Sequence, residues 1–362
     1  MELMQPRGGV SSIRAFSRGD VASVAHLRRL AFSNSRWSQQ EDLERQLALV
    51  FLENPWVHAS PRSLVMESAT GEVAGFLGVI PRPFTYRGRS LMGAVATQLM
   101  VAPDQRGRGV GSRLLRHAFE GPQDILLSDI ATSAVRAMWE RLGGSAADQY
   151  GFYWKMPLRK ARHAADALGG NGAVRLVRRG LRPLLNLVDR AASPPLSPPD
   201  GHAEELRPAA AVQFLERMQD RERFRAVYDT DSLAWLLDRL SAQTSTKSLL
   251  LRQVRDAENR LAGWFVLRPR AGRTMVLSLV AEPGSEALVL GQAMIEAFRV
   301  GTITLEGRFD PLFARQLRER RTAFRLQTPG LLVHARDADL TNAILAGRAC
   351  LTGLEGEWWL GL

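Results

Sequence analysis

Between Val101 and Ser112 the chain reads Val-Ala-Pro-Asp-Gln-Arg-Gly-Arg-Gly-Val-Gly-Ser, with glycines at 107, 109 and 111. No other stretch restricts the fold so tightly. A strand-like run, Gly93 to Val101, leads into it, and a helix is predicted over Val110 to Phe119 with Val110, Leu114, Leu115 and Ala118 on one face. Glycines at alternate positions let the backbone turn sharply, so that successive N–H groups converge at the positive end of the helix that follows. The segment is therefore an anion cradle, of a size to suit a pyrophosphate. It is not a Walker loop, which needs Gly-Lys-Ser/Thr, nor a dinucleotide fingerprint, whose third glycine would fall at Ser112.

The surroundings of the cradle predict a mixed α/β sheet. Helices at Val21 to Ala31, with Asp20 as N-cap, and at about Gln40 to Leu52 precede strands at Ser63 to Glu67, Val73 to Ile80 and Gly93 to Val101. After the cradle helix come a short strand Ile125 to Leu127, a helix Ser133 to Leu142 and a last strand near Gln149 to Pro157. With 362 residues the chain is long for one core, and two are expected. The same order of elements recurs after residue 205 without sequence identity, which points to a tandem arrangement: 12–158, a linker 159–205, and 206–362.

The linker holds most of the positive charge. The chain carries +11, and between Lys155 and Arg190 nine basic residues face two acidic ones. Val174, Val177, Leu181, Leu184, Leu185 and Val188 recur there at helical spacing, followed by a proline-rich spacer from Ala191 to Gly201. Packing between the two halves is the expected fate of this basic amphipathic segment, with peripheral contact to an anionic membrane as the alternative. No apolar run is long enough to span a membrane and no signal-like segment opens the chain, so a cytoplasmic location is expected. One cysteine and six scattered histidines argue against a metal site. Aromatic residues do not interleave with the basic ones, so no nucleic-acid partner is expected.

The run Val-x-Pro-x-x-Arg-Gly-x-Gly-x-Gly resembles the coenzyme A loop of the GNAT N-acetyltransferase superfamily, with Arg106, Gly109 and Gly111 at its signature positions. The resemblance extends over about Ser12 to Leu158, and the tandem order is similar to that of uncharacterised bacterial proteins with two GNAT-like modules. It implies that acetyl-CoA is the cosubstrate, held by Arg106, Gly107, Arg108, Gly109, Val110, Gly111 and Ser112. Leu99, Met100 and Val101, on a bulged strand splayed from its neighbour, would pair with the pantetheine arm. The reaction implied is direct attack of an acceptor amine on the thioester in a ternary complex, the acceptor being a small amine-bearing molecule. A non-catalytic acyl-CoA binding protein, or a peripheral protein of envelope or polysaccharide metabolism, is the alternative.

Proton transfer has no obvious owner in the sequence. The strand before the cradle lacks the glutamate that members of the superfamily often carry there, and Trp139 stands where the resemblance would place a tyrosine acid. Asp129 is the candidate base, and Tyr150 or Tyr153 the candidate acid. Trp37, Trp56 and Gln98 are the candidates for the acceptor pocket. In the second half the corresponding loop, Val280 to Gly291, carries Glu282 and Glu286 where arginine and glycine should stand, so phosphate would be repelled and the module is read as degenerate.

Overall fold

In the computed structural model of the chain, residues 12–32, 39–58, 60–167, 180, 181, 183–189, 200–218, 223–242, 249–320, 322–327, 330–357 and 360 are described. Two mixed sheets, each flanked by helices, carry the architecture. The first is built on β1 (Ile13–Ala15), β2 (Leu64–Glu67), β3 (Val73–Tyr86), β4 (Arg89–Val101), β5 (Ile125–Ser128) and β6 (Ser145–Ala147). The second uses β7 (Phe152–Pro157), β8 (Gly201–Glu205), β10 (Leu250–Asp256), β11 (Leu261–Arg270), β12 (Arg273–Ala281), β13 (Thr304–Arg308) and β14 (Ala323–Leu326). Three further strands, β9 (Phe224–Ala226), β15 (Leu331–Ala335) and β16 (Ala349–Cys350), come from the second half of the chain yet join the first sheet.

The sheets exchange strands. β7 follows the first half directly but pairs antiparallel with β13 and β14 of the second sheet. β15 returns to lie between β5 and β6 in the first. The sheet partition thus crosses the expected boundary at Leu158, and neither module closes its sheet with its own chain. The core is shared as well: Phe16, Val24, Leu47, Phe76 and Met100 of the first half form one cluster with Phe214, Leu236, Trp264, Val266 and Leu277 of the second.

Four helices lie close to where apolar periodicity predicts them, α1 (Val21–Ala31), α2 (Gln40–Phe51), α3 (Val110–Phe119) and α4 (Ser133–Arg141), and a further helix, α5 (Lys160–Ala167), stands where the sequence pattern predicts none. Asp20 stands at the N-cap position of α1, but its side chain makes no capping bond to the helix. Its carboxylate instead accepts from Ser17 N–H at 2.8 Å, Ser17 Oγ at 2.7 Å and both terminal nitrogens of Arg14 at 2.8 and 2.7 Å, which ties β1 to the start of α1. Hydrogen bonding to the Arg14 guanidinium holds the Asp20 carboxyl down at about 2, against 3.8 when free. Asp20→Asn should cost about 1–2 kcal/mol at pH 7, allowing for solvent screening of the part-exposed Arg14. Because the folded value is the lower one, that stability is present above 3.8 and is lost as pH falls toward 2. Urea midpoints of wild type and variant should converge in acid; a constant gap would show that charge plays no part.

Much of the basic segment lies outside the described residues. Within residues 180–189, Leu181, Leu184, Leu187 and Val188 are exposed rather than packed between the halves as expected. The anchor there is polar: buried Asp189 accepts from the N–H groups of Ala161 at 2.7 Å and Arg162 at 3.3 Å, satisfying donors that the first turn of α5 cannot bond internally. Leucines on the other side of that anchor consequently face solvent.

Candidate active site

The site begins with a defect in the first sheet. Along β3 and β4 the register runs Phe76 to Met100 on one side and Gly78 to Thr97 on the other, so β4 holds one extra residue at Gln98–Leu99. Gln98 there takes φ +51°, a left-handed conformation that a glutamine adopts only under constraint. The constraint comes from α1, whose Arg28 Nε donates to Gln98 Oε1 at 3.0 Å.

Just before this bulge β4 loses its other neighbour. Its parallel pairing with β5 covers only Gly93 to Val95, opposite Ile125 to Leu127, whereas β4 itself runs on to Val101. The outer edge from Ala96 to Val101 therefore borders a cleft of ≈ 270 Å³. Leu77, Leu99, Leu115, Ala131, Val135 and Trp139 give it apolar walls, and Thr97, Ser128 and Glu357 a polar floor. Leu99 reaches the cleft with its side chain, whereas Met100 is buried on the opposite face in the shared core and can offer only backbone.

The strand then delivers the cradle. A short 3-10 turn, Pro103–Gln105, is followed by Gly107 at φ +78° and Gly109 at φ +77°, and Gly109 forms the N-cap of α3. The first-turn N–H groups of Val110, Gly111 and Ser112 have no preceding turn to bond to. Arg106, Arg108 and Arg113 surround them, exposed to solvent. Gly111 packs against Val101 and Met138, so the helix start sits directly on the end of the bulged strand. Thr132 caps α4 by accepting from Val135 N–H at 3.3 Å, and it lines the cleft opposite the cradle.

Bulge, splay and loop recur in the second module, each closed. The pairing of β11 with β12 shifts register at Leu277, and β12 leaves β13 after Val276. Here the gap is occupied by the chain itself: Gly353 N–H donates to Leu277 O at 2.6 Å. At the loop, Gly284 N–H donates to Glu286 Oε1 and Oε2 at 3.0 and 3.1 Å. An internal carboxylate thus sits at the loop's backbone N–H, just ahead of the helix that begins at Glu286.

The catalytic candidates are not brought together in the cleft. Asp129 is buried at the end of β5 and paired with Arg308 Nη2 at 2.9 Å, while its other oxygen accepts Glu357 N–H at 2.8 Å. A carboxylate so engaged positions its neighbours, and Asp129 is not among the residues that line the cleft. Tyr150 sits in a separate core with Phe84, Tyr86 and Leu331, accepting Ala349 N–H at 2.9 Å; burial pushes its hydroxyl up to about 12. Tyr153, also buried, is hydrogen-bonded to Arg308, and burial again raises it. Both tyrosines hold the two halves together. Gln98 does line the cleft. Trp56 does not: it stacks beneath the Arg82 guanidinium at 4.1 Å and meets Trp235 edge-on at 6.1 Å. Trp37 lies outside the described residues.

One carboxylate lining the cleft carries no mark in the sequence. Glu357 reaches the cleft floor, where Oε2 accepts from Thr97 Oγ1 at 2.5 Å and Oε1 from Ser128 Oγ at 2.8 Å, Asp129 N–H at 3.2 Å and Ile130 N–H at 3.3 Å. Burial, and after it the charge of Asp129, raises its carboxyl from 4.5 to about 7. Nothing near Glu357 in the sequence marks it.

Comparison with known proteins places this geometry. Residues 60–145 match the family model of the acetyltransferase (GNAT) domain, a span that includes the bulged strand, the cradle and α4. No curated protein matches the chain. Among solved structures, a protein of Enterococcus faecalis described as a probable N-acyltransferase aligns over 92% of this chain and 74% of its own, at 9% identity and a TM-score of 0.62. A GCN5-related N-acetyltransferase of Kribbella flavida covers 91% and 72%, at 16% identity and a TM-score of 0.60. The N-myristoyltransferase of Saccharomyces cerevisiae, solved with myristoyl-CoA and inhibitors, covers 92% and 82% at 11% identity and a TM-score of 0.51. The fold is thus that of the GNAT acyltransferases, in two modules, and the first module carries the family's sequence pattern.

Proposed function

We propose that the chain is an acyl-CoA-dependent N-acyltransferase, using acetyl-CoA and a small amine, with its reaction centre in the first module. The observation that carries this reading is the continuity of three features on one strand. The bulge turns β4, the splay opens its edge, and Val101 leads straight into the cradle. A pantetheine arm needs an unpaired strand edge to bond to, and its pyrophosphate needs converging N–H groups at the far end. Both are present at the right ends of one apolar cleft. The backbone N–H groups of Leu99 and its neighbours would also face the thioester carbonyl, where a fixed dipole stabilises the oxyanion without reorganisation.

The experiment is calorimetry with acetyl-CoA on the intact chain. One molecule should bind per chain, because Glu286 fills the second cradle. Gly109→Asp should weaken binding at least about a hundredfold, since a carboxylate there would occupy the first cradle as Glu286 does the second. A Cβ at Gly109 meets nothing within 4 Å, and aspartate tolerates positive φ better than most residues, so the variant should remain folded. Unchanged affinity in folded Gly109→Asp would remove the cradle from the site; two bound molecules would show that the second module is open.

A further inference from the structure

We propose that Glu357 is the proton acceptor for the incoming amine, carried into the first module's cleft by the segment 351–357, and that the second module serves to hold that segment there. The inference rests on the acyltransferase reading above and supplies the group that reading lacks. Three observations converge on it. Glu357 is the carboxylate on the cleft floor, beside the splayed edge of β4. It is fixed by donors from both splayed strands, Thr97 on β4 and Ser128 on β5, and by the following N–H groups of Asp129 and Ile130. The chain leading to it is held mainly by the second half, with one bond from β3 of the first. Gly353 bonds Leu277 in the closed gap, Glu355 accepts the Tyr228 hydroxyl at 2.7 Å, and Arg82 donates to Leu354 O at 3.3 Å.

Gly356 shows how close that delivery is. A Cβ there would fall 1.9 Å from Asp129 Oδ2, so only glycine lets the segment pass. Asp129 in turn is held by Arg308 of β13 and hydrogen-bonds the Glu357 backbone, which makes it a positioning residue.

The step balances as follows. Glu357 takes one proton from R–NH3+, and the freed nitrogen lone pair attacks the thioester carbonyl carbon. The C–N bond forms, the C–S bond breaks, and sulfur leaves with the electron pair. The second proton on nitrogen passes to the thiolate through solvent, giving amide and free thiol, and Glu357 returns its proton to water. A base for this task works best with a pKa near the operating pH. Burial and the neighbouring Asp129 charge place Glu357 at about 7. The ionisable groups around it are Asp129 from the β5 end, Arg308 from β13, Tyr153 from β7 and Glu355 on its own segment, with Arg28 of α1 acting through Gln98.

The test follows thiol release from acetyl-CoA with a polyamine, an aminosugar and an amino-acid amide as probe amines, across pH 5.5 to 9. Wild type should lose activity below about pH 7. Glu357→Gln, which keeps the size and can keep the Asp129 and Ile130 N–H bonds on its amide oxygen, should still bind acetyl-CoA, turn over roughly a hundredfold or more slowly, and lose that acid limb. Thr97→Val removes a donor that favours the ionised form, so its acid limb should move to higher pH, a shift that a merely structural residue would not produce. A carboxyl carbon resonance assigned with Glu357→Gln should titrate near pH 7 in the resting protein. Normal rates and pH profile in Glu357→Gln, or a resonance still ionised at pH 5, would overturn the assignment. So would acetyl-CoA binding without amine-dependent thiol release. Failure of wild type to bind acetyl-CoA at all would instead overturn the acyltransferase reading.

Discussion

Replacing Arg308 with methionine is expected to lower stability by about 3–5 kcal/mol, because it strands the Asp129 carboxylate in the interior without its counter-charge. The pair is deeply buried, with side chains 9% and 2% exposed, so water cannot substitute for the lost guanidinium. Arg308 also hydrogen-bonds Tyr153, so β7, β5 and β13 loosen together. Asp129→Asn in the same chain should restore much of the loss, since an uncharged amide in that position no longer needs compensation. Urea denaturation of the two single variants and the double variant measures both quantities. A near-neutral Arg308→Met, or a double variant no better than the single, would show that the pair does not clasp the modules. Turnover should fall with stability, because Asp129 Oδ1 seats the Glu357 backbone.

The second large effect is expected at Trp139. The residue is 1% exposed, its indole N–H donates to Val333 O at 2.9 Å, and its ring meets Phe119 edge-on at 4.8 Å. Val333 belongs to β15, the strand that the second half inserts between β5 and β6. Trp139→Ala therefore removes a cleft wall and the anchor of an exchanged strand at once, with an expected cost of about 3–5 kcal/mol. Trp139→Phe keeps much of the packing and forfeits the N–H···O bond, leaving a buried carbonyl short of a donor at about 1–3 kcal/mol. Thermal unfolding should rank them wild type, Phe, Ala. If alanine costs under about 1 kcal/mol, the wall is supported by other residues. Trp139 fills the place the resemblance gives to a tyrosine acid, and the structure shows it used as a fastener instead.

The legibility of this protein in its sequence follows the range of the interactions. The cradle can be read because its determinants are adjacent: glycines at 107 and 109 take the positive φ that the turn requires, and the apolar spacing of α3 begins at once. The contact within the second loop is equally local, since Glu286 lies two residues from the Gly284 N–H it accepts. The bulge at Gln98 carries no such local mark. A non-glycine residue at positive φ is chosen there by Arg28, seventy residues away in the chain.

Tyr150 and Tyr153 illustrate the opposite error. Both lie on the strand predicted near Gln149 to Pro157, and pattern alone cannot tell which sheet that strand will join. In the structure β7, with Tyr153, joins the second sheet, while Tyr150 lies in the 3-10 turn Asp148–Gly151 before it and packs in a core with second-half residues. Asp129 ends β5 as expected, but a partner on β13 takes its charge.

By itself the sequence determined the mixed α/β elements, their repetition and the anion cradle, because each depends on periodicity or on backbone freedom within a dozen residues. Tertiary structure alone decided that β7 and β15 change sheets, that the second gap is filled by the chain, and that Glu357 rather than Asp129 faces the first. The physical reason is separation: Glu357 meets Thr97 across 260 residues, and no local propensity encodes a contact that only the docking of two modules creates.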